Sequence, residues 1–306
     1  MRRRTLLRAA GMMALCGVRA AAGAPPAMAG RAAPRIAVLD WGLAETLLAL
    51  GVVPAGVAEI AGYNANVVTP AVPLDVPDVG LRLAPSLEWL AQLAPDLILV
   101  NSSQESQREM LERIAPVRAF AVYTDAGTPY RLAQQATREL GTLCRCETAA
   151  EALIARTAQA LDAGRARLAA ASAHSRPLYL IRFFDSRHIG VYGAHSLFQD
   201  ALDALGLANA WHGATDYWGI GVAPLEALAA APDATVIYFE PLPQDAGHTL
   251  AANRLWRALP AVAAGRIAAL PPFWGFGMLP SVQRFGAALA QALVATPGAM
   301  QGNAGS

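Results

Sequence analysis

The sequence predicts two α/β lobes, each built on a mostly parallel central sheet and joined by one long connecting helix. Three observations carry this prediction. The first is a Pro-free stretch over residues 148–172, mostly Ala, Leu, Arg and Gln, which reads as one helix. Thr148 and Glu151 supply a T-x-x-E capping box at its start, and Pro177 forbids much extension. At ~1.5 Å per residue it spans ~35 Å, about the width of a small domain. Leu153, Leu161 and Leu168 give it a thin apolar stripe, so one side packs. The second observation is an internal echo on either side of this rod. Pro85-Ser86-Leu87-Glu88 leads through Ala94-Pro95-Asp96 into Leu97-Ile98-Leu99-Val100. Pro224-Leu225-Glu226 leads through Ala231-Pro232-Asp233 into Thr235-Val236-Ile237-Tyr238-Phe239. Each copy reads as a short helix, a Pro-Asp turn and a buried strand. The third observation is that short strands alternate with helices throughout, as in a parallel sheet.

Residues 1–29 read as an export signal. Arg2, Arg3 and Arg4 form a charged head, a modestly apolar stretch follows, and Ala27-Met28-Ala29 is an A-x-A cleavage site. The arginine run before Thr5-Leu6-Leu7 is of the twin-arginine type, which places the mature protein in the periplasm. The apolar part is too short to remain as a membrane span. Residues 30–147 form the first lobe, 148–172 the rod, 173–295 the second lobe and 296–306 a flexible tail.

Within the first lobe, strands are expected over residues 35–39, 52–57 and 119–123 besides the echo strand. Helices are expected over 44–50, 108–114 and 129–143. Residues 62–77 read as a turn-rich loop carrying Tyr63, Asn64 and Asn66. In the second lobe, strands are expected over 178–184 and 190–192, and a helix over 196–205, stopped by Gly206. Residues 211–222 read as an aromatic, Gly-rich loop containing Tyr217-Trp218-Gly219. A helix over 255–262, a strand over 266–270, the loop Pro272-Phe273-Trp274-Gly275-Phe276 and a helix over 282–295 complete the chain.

Charge and motif content narrow the function. The chain has 24 basic and 23 acidic residues, and every basic residue is Arg. The signal takes five arginines and no acids with it, so the mature chain is net acidic. That argues against a nucleic-acid binder. There is no G-x-S-x-G elbow, P-loop or G-x-G-x-x-G. The five histidines, His174, His188, His195, His212 and His248, are scattered, so no direct metal site and no cofactor are expected. Cys144 and Cys146 form a C-x-C pair that reads as two small, partly buried residues. Ligands in open α/β sheets sit at the carboxyl ends of strands. The loops to watch there carry Arg82, Asn101-Ser102-Ser103-Gln104, Tyr217-Trp218 and Trp274 with Phe276. Aromatic loops in one lobe facing an Arg in the other suit a ligand with apolar bulk and a few oxygen acceptors.

Several stretches resemble one family. They are residues 35–41 (Arg35-Ile36-Ala37-Val38-Leu39-Asp40-Trp41), Asp78-Val79-Gly80-Leu81-Arg82, Arg187-His188, Ser196-Leu197-Phe198-Gln199, Asn209-Ala210-Trp211 and Tyr217-Trp218-Gly219. These are similar to the FhuD-like periplasmic proteins, which bind ferric hydroxamate siderophores for ABC importers. The similarity runs over residues 35–292. It implies the rigid, long-helix class of periplasmic binding protein, a monomer that hands its cargo to an inner-membrane permease with its ATPase. The iron arrives inside the ligand, ferrichrome for example. By position, Arg82 matches the arginine that bonds the iron-hydroxamate oxygens, and Trp218 and Trp274 match pocket tryptophans. The chain departs from the family at Gln104, where a pocket tyrosine is expected, and at Asn66 and Val100, where tryptophans are. Glu88 and Glu226 match the lobe-tip carboxylates that dock on permease arginines. Two other readings compete: a haem or corrinoid binder of the same fold, and a secreted α/β enzyme. The missing acid/base or nucleophile constellation counts against the enzyme.

Overall fold

The computed structural model describes residues 34–171, 176–243 and 250–295. The export signal, the tail from residue 296, the expected last residue of the rod, His174 and His248 lie outside the described residues.

The first lobe runs β1 (Ile36–Val38), α1 (Trp41–Ala49), β2 (Gly56–Val57), α2 (Ile60–Asn66) and a β3–β4 hairpin (Gly80–Leu81 and Ala84–Pro85). It continues through α3 (Leu87–Leu93), β5 (Leu97–Asn101), a 3-10 turn (Ser102–Gln107), α4 (Arg108–Leu111), β6 (Val117–Phe120) and α5 (Pro129–Cys144). Its sheet has the order β2-β1-β5-β6, all parallel. The run Ile98-Leu99-Val100 is fully buried because both faces of this sheet are covered.

The second lobe follows α6 (Glu147–Ala170). It comprises β7 (Leu178–Phe183), β8 (His188–Tyr192), α7 (Leu197–Leu205), β9 (Ile220–Pro224), a 3-10 turn (Leu225–Ala230) and β10 (Thr235–Phe239). Two short helices (Arg254–Ala258 and Pro260–Ala263), β11 (Ile267–Leu270) and a closing helix α8 (Leu279–Ala295) complete it. Its sheet has the order β11-β10-β7-β8-β9. The first three strands are parallel, and β8 is antiparallel to both its neighbours.

The echo has a structural counterpart. Each echo strand pairs in parallel with the first strand of its lobe, β5 with β1 and β10 with β7. Each Pro-Asp turn ties down the segment entering that first strand. Asp96 accepts the Arg35 N–H at 2.8 Å, and Asp233 pairs with Arg176 at 3.6 Å. The copies differ in the helix, which is α in the first and 3-10 in the second.

The rod is present but begins differently from the expectation. Arg145, in the left-handed region (φ 57°), ends α5, and Cys146 turns straight into α6. Thr148 therefore lies inside the helix and no capping box forms. Glu151 instead pairs with Arg138 of α5 at 2.7 Å. Ala150, Leu153, Ile154, Thr157, Leu161, Gly164 and Leu168 make one buried stripe at helical spacing. That stripe packs on α5 of the first lobe and on α7 and α8 of the second. Glycines permit the close approach: a Cβ at Gly141 would stand 2.7 Å from Ala150, and one at Gly286 would stand 2.6 Å from Leu161.

Four other expectations change. Residues 62–77 are not all loop, since α2 occupies their start. The expected helix over 108–114 is one α turn after a 3-10 turn. The aromatic loop ends in a strand, β9. The expected helix over 255–262 breaks at Leu259, whose extended backbone (ψ 134°) precedes Pro260.

The lobes share one core. A single apolar cluster contains Ile36 and Leu99 of the first sheet, Leu180 and Phe239 of the second, and Leu161 of the rod. Polar ties cross with it. Glu45 of α1, fully buried, accepts from the Met278 N–H and from Ser281 Oγ at the start of α8. The Tyr123 hydroxyl donates to Gly277 O at 2.7 Å, and Asp200 of α7 accepts the Tyr130 N–H of α5 at 2.8 Å.

Candidate ligand-binding cleft

A cleft of about 260 Å³ opens at the carboxyl ends of β1 and β5, where an open parallel sheet presents its loops. Asp40, Arg82 and Asn101 line it from the first lobe, and Trp218, Trp274 and Phe276 from the second.

Asp40 follows β1 and caps α1. Its Oδ1 accepts from the Leu43 N–H at 2.9 Å and its Oδ2 from Asn101 Nδ2 at 2.8 Å. Burial pushes its carboxyl above the usual range, against the pull of those bonds and of the Arg82 charge. Trp41 follows, buried, with its indole N–H on Ala58 O at 3.0 Å. Gly62 leaves room for the ring, since a Cβ there would lie 2.7 Å from it.

Arg82 sits in the turn between β3 and β4. Its Nε donates to Glu59 Oε2 at 2.9 Å. Its guanidinium carbon lies 3.8 Å from the Trp41 ring centre and 5.0 Å from that of Trp274, a cation–π placement. Among the described residues its two terminal nitrogens have no hydrogen-bond partner, and the side chain keeps 29% of its surface exposed. Gln104 lines the same wall, but its amide is spent within the protein. Its nitrogen donates to Leu39 O and Arg82 O, and its oxygen accepts from the Asn101 N–H. It therefore fixes the main chain of Arg82.

In the second lobe, Asp216 Oδ1 accepts the N–H groups of Trp218 and Ile220, both at 3.0 Å, and so turns Trp218 toward the first lobe. Gly219 at φ 77° completes that turn. A Cβ there would overlap the Ser196 backbone, so only glycine fits. Ring centres then run from Tyr123 to Trp218 (5.2 Å), Phe276 (5.1 Å), Trp274 (5.2 Å) and Trp41 (4.7 Å). This aromatic chain crosses between the lobes. The indole nitrogen of Trp274 is buried with no acceptor among the described residues.

Two expected ligand residues stand outside the cleft lining. Asn66 ends α2, where Arg182 Nη2 of β7 donates to its Oδ1 at 2.6 Å, so it ties the lobes together. Tyr217, exposed, packs on Trp218 with ring centres 4.8 Å apart. Val100 is wholly buried in β5. Glu88 lies in the first turn of α3 and Glu226 in the 3-10 turn after β9. Both are exposed, and neither has an ion-pair partner among the described residues. Reading the loops missed Asp40, Trp41 as a wall residue, Glu59, Asp216 and Ile220. The carboxyl-edge rule, applied to the ends of β1 and β2, points to the first three.

A sequence profile of the periplasmic binding protein family matches residues 36–273. The chain belongs to that family. It is 38% identical over 251 residues to the iron(3+)-hydroxamate-binding protein FhuD of Escherichia coli (strain K12), covering 82% of this chain and 84% of that one. Its fold superposes on FhuD of Vibrio cholerae, solved with Fe3+-Desferal bound, with a TM-score of 0.81 and 32% identity over 87% of this chain and 99% of that one. The catecholate-siderophore-binding protein VctP of Vibrio cholerae superposes with a TM-score of 0.64 at 18% identity, over 87% of this chain and 95% of that one. That second likeness is one of fold alone. The FhuD-fold architecture of two α/β lobes and a long helix is therefore shared by proteins with different ligands.

Proposed function

We propose that this chain is an exported substrate-binding protein that captures a ferric siderophore of the hydroxamate type and delivers it to an ABC importer. The observation that carries the reading is Arg82. Its charge is held on the faces of Trp41 and Trp274, with both terminal nitrogens left for a ligand at the cleft. A guanidinium presents several donors in a fixed plane, which suits the clustered oxygens around a chelated ferric ion. The aromatic chain supplies the apolar wall, and the Trp274 indole N–H is a donor without an acceptor. The iron is cargo, held by the siderophore. Among the described residues no group of three or more His, Cys, Asp or Glu is gathered to hold a metal.

The contact set is Arg82, Trp218, Trp274 and Phe276, with Gln104 acting through the backbone of Arg82. Tyr217 and Asn66 act outside the contact set, one supporting Trp218 and the other joining the lobes. The lobes are taken as residues 30–147 and 173–295 with 148–172 between them, behind a cleaved twin-arginine signal. The mature protein works as a monomer in the periplasm, with no cofactor and no catalytic role. Glu88 and Glu226 are the docking carboxylates for the permease, which works with its ATPase.

Titrating intrinsic tryptophan fluorescence with ferrichrome, a ferric catecholate, haem and cobalamin tests the reading. Trp218 and Trp274 line the cleft and Trp41 packs on Trp274, so a bound ferric complex quenches them. Saturable quenching by ferrichrome at the lowest concentration is expected. Tighter binding of haem or cobalamin would move the protein to another ligand class.

A further inference from the structure

Glu59, beside the cleft arginine, has an unusual setting. Its backbone is left-handed (φ 56°, ψ 51°), a conformation that side-chain-bearing residues adopt at a cost. The surroundings enforce it. The Glu59 N–H is shared between Gly80 O at 2.8 Å and Asp78 Oδ1 at 3.1 Å, and Asp78 Oδ2 takes the next N–H, that of Ile60, at 2.8 Å. Strain imposed from outside marks positions where a side chain must point one way. Here it aims the carboxylate at Arg82 Nε.

Three consequences follow. The Nε bond fixes the guanidinium in plane against Trp41, so the free edge faces the ligand. The carboxylate also cancels the arginine's charge locally. Among the described residues the cleft lining holds two further carboxyls, those of Asp40 and Asp216, and no second arginine to add positive charge. A ferric ion held by three hydroxamates is neutral, and one held by three catecholates carries a triple negative charge. An uncompensated arginine attracts the second; a compensated one donates hydrogen bonds without that preference.

We propose that Glu59 is a positioning and specificity residue: it orients Arg82 and cancels its charge, so that the cleft selects neutral or cationic ferric complexes over polyanionic ones. This rests on the ferric-siderophore reading above. Comparing Glu59→Gln with the wild type tests it, using ferrichrome and a ferric tris-catecholate as probes and thermal unfolding as a control. Glu59→Gln is expected to narrow the ferrichrome-over-catecholate preference roughly tenfold, the low end of what a charge-assisted hydrogen bond supplies. Glu59→Asp and Glu59→Asn form a second pair of equal shape, and both types tolerate left-handed backbone. The Asp variant should keep the wild-type ratio while both ligands weaken, and the Asn variant should shift it. An unchanged ratio in the folded Gln and Asn variants overturns the proposal, as does an equal weakening of both probes in those variants. A wild-type protein that binds neither probe would instead refute the siderophore reading itself.

Discussion

Arg82 is where the chemistry of the cleft concentrates. Its Nε is committed to Glu59 and its face to Trp41, while its terminal nitrogens have no hydrogen-bond partner among the described residues. Removing it leaves ligand oxygens without donors in a partly shielded site. A charge-assisted hydrogen bond lost there costs roughly 1.5–3 kcal/mol. Arg82→Ala should therefore weaken ferrichrome binding about ten- to a hundredfold by fluorescence titration. Equal affinity would remove Arg82 from the site. At this scale the sequence was legible where a residue lines the cleft, as with Arg82, Trp218 and Trp274. It was silent where a role depends on a partner far along the chain. Nothing near Gln104 reveals that its amide closes on Leu39 and Arg82, and nothing near Asn66 reveals Arg182. Glu59 is a similar case, because its partner lies 23 residues ahead.

The elements show the same division between local and distant causes. Helices that carry their own caps, such as α3 with Ser86 and α7 with Ser196, were legible. Helix α2 was not, because Asp78 caps it from 18 residues away. The α6 capping motif misled because the turn from α5 sets the helix start. The start of α8 carries a testable device. Glu45 is buried against it, and desolvation pushes its carboxyl up to about 7, against the bonds from Met278 and Ser281. A carboxyl whose pKa is raised on folding binds its proton more tightly in the folded state. Its contribution is thus fully present below the unfolded value near 4.5 and is lost as pH rises through about 7. The protein should be more stable at pH 6 than at pH 8, by on the order of 1 kcal/mol. Glu45→Gln keeps the shape without the titration and should flatten that difference. Urea unfolding at the two pH values measures it. An identical pH response in Glu45→Gln would mean that Glu45 stays ionised throughout.

At the scale of the whole molecule the two lobes are packed together through one core. The core cluster crosses between them, α6 packs on helices of both, and Glu45, Tyr123 and Asp200 tie them at several points. A hinge would have to break these contacts together. The two-lobe plan and the rod were legible because the echo repeats in order along the chain. The mixed second sheet was less so, since β9 begins inside a stretch whose aromatics and glycines read as loop. On the proposed function, the transporter would recognise such a body through the tips of its lobes. Exposed carboxylates contribute little to stability, so the repetition of Glu88 and Glu226 points to a partner. The double variant Glu88→Ala with Glu226→Ala should bind ferrichrome normally and fail to stimulate the transporter ATPase. Normal stimulation would end the docking role.

The proposed function turns on the mature chain recognising the iron-bound oxygens of a ferric hydroxamate. Isothermal titration calorimetry with ferrichrome and with its iron-free form tests that most directly. Saturable binding of one ferric ligand per chain is expected, with a much weaker interaction with the iron-free ligand, whose oxygens are no longer gathered at one point. Equal affinity for both forms, or no binding of the ferric form, would contradict it.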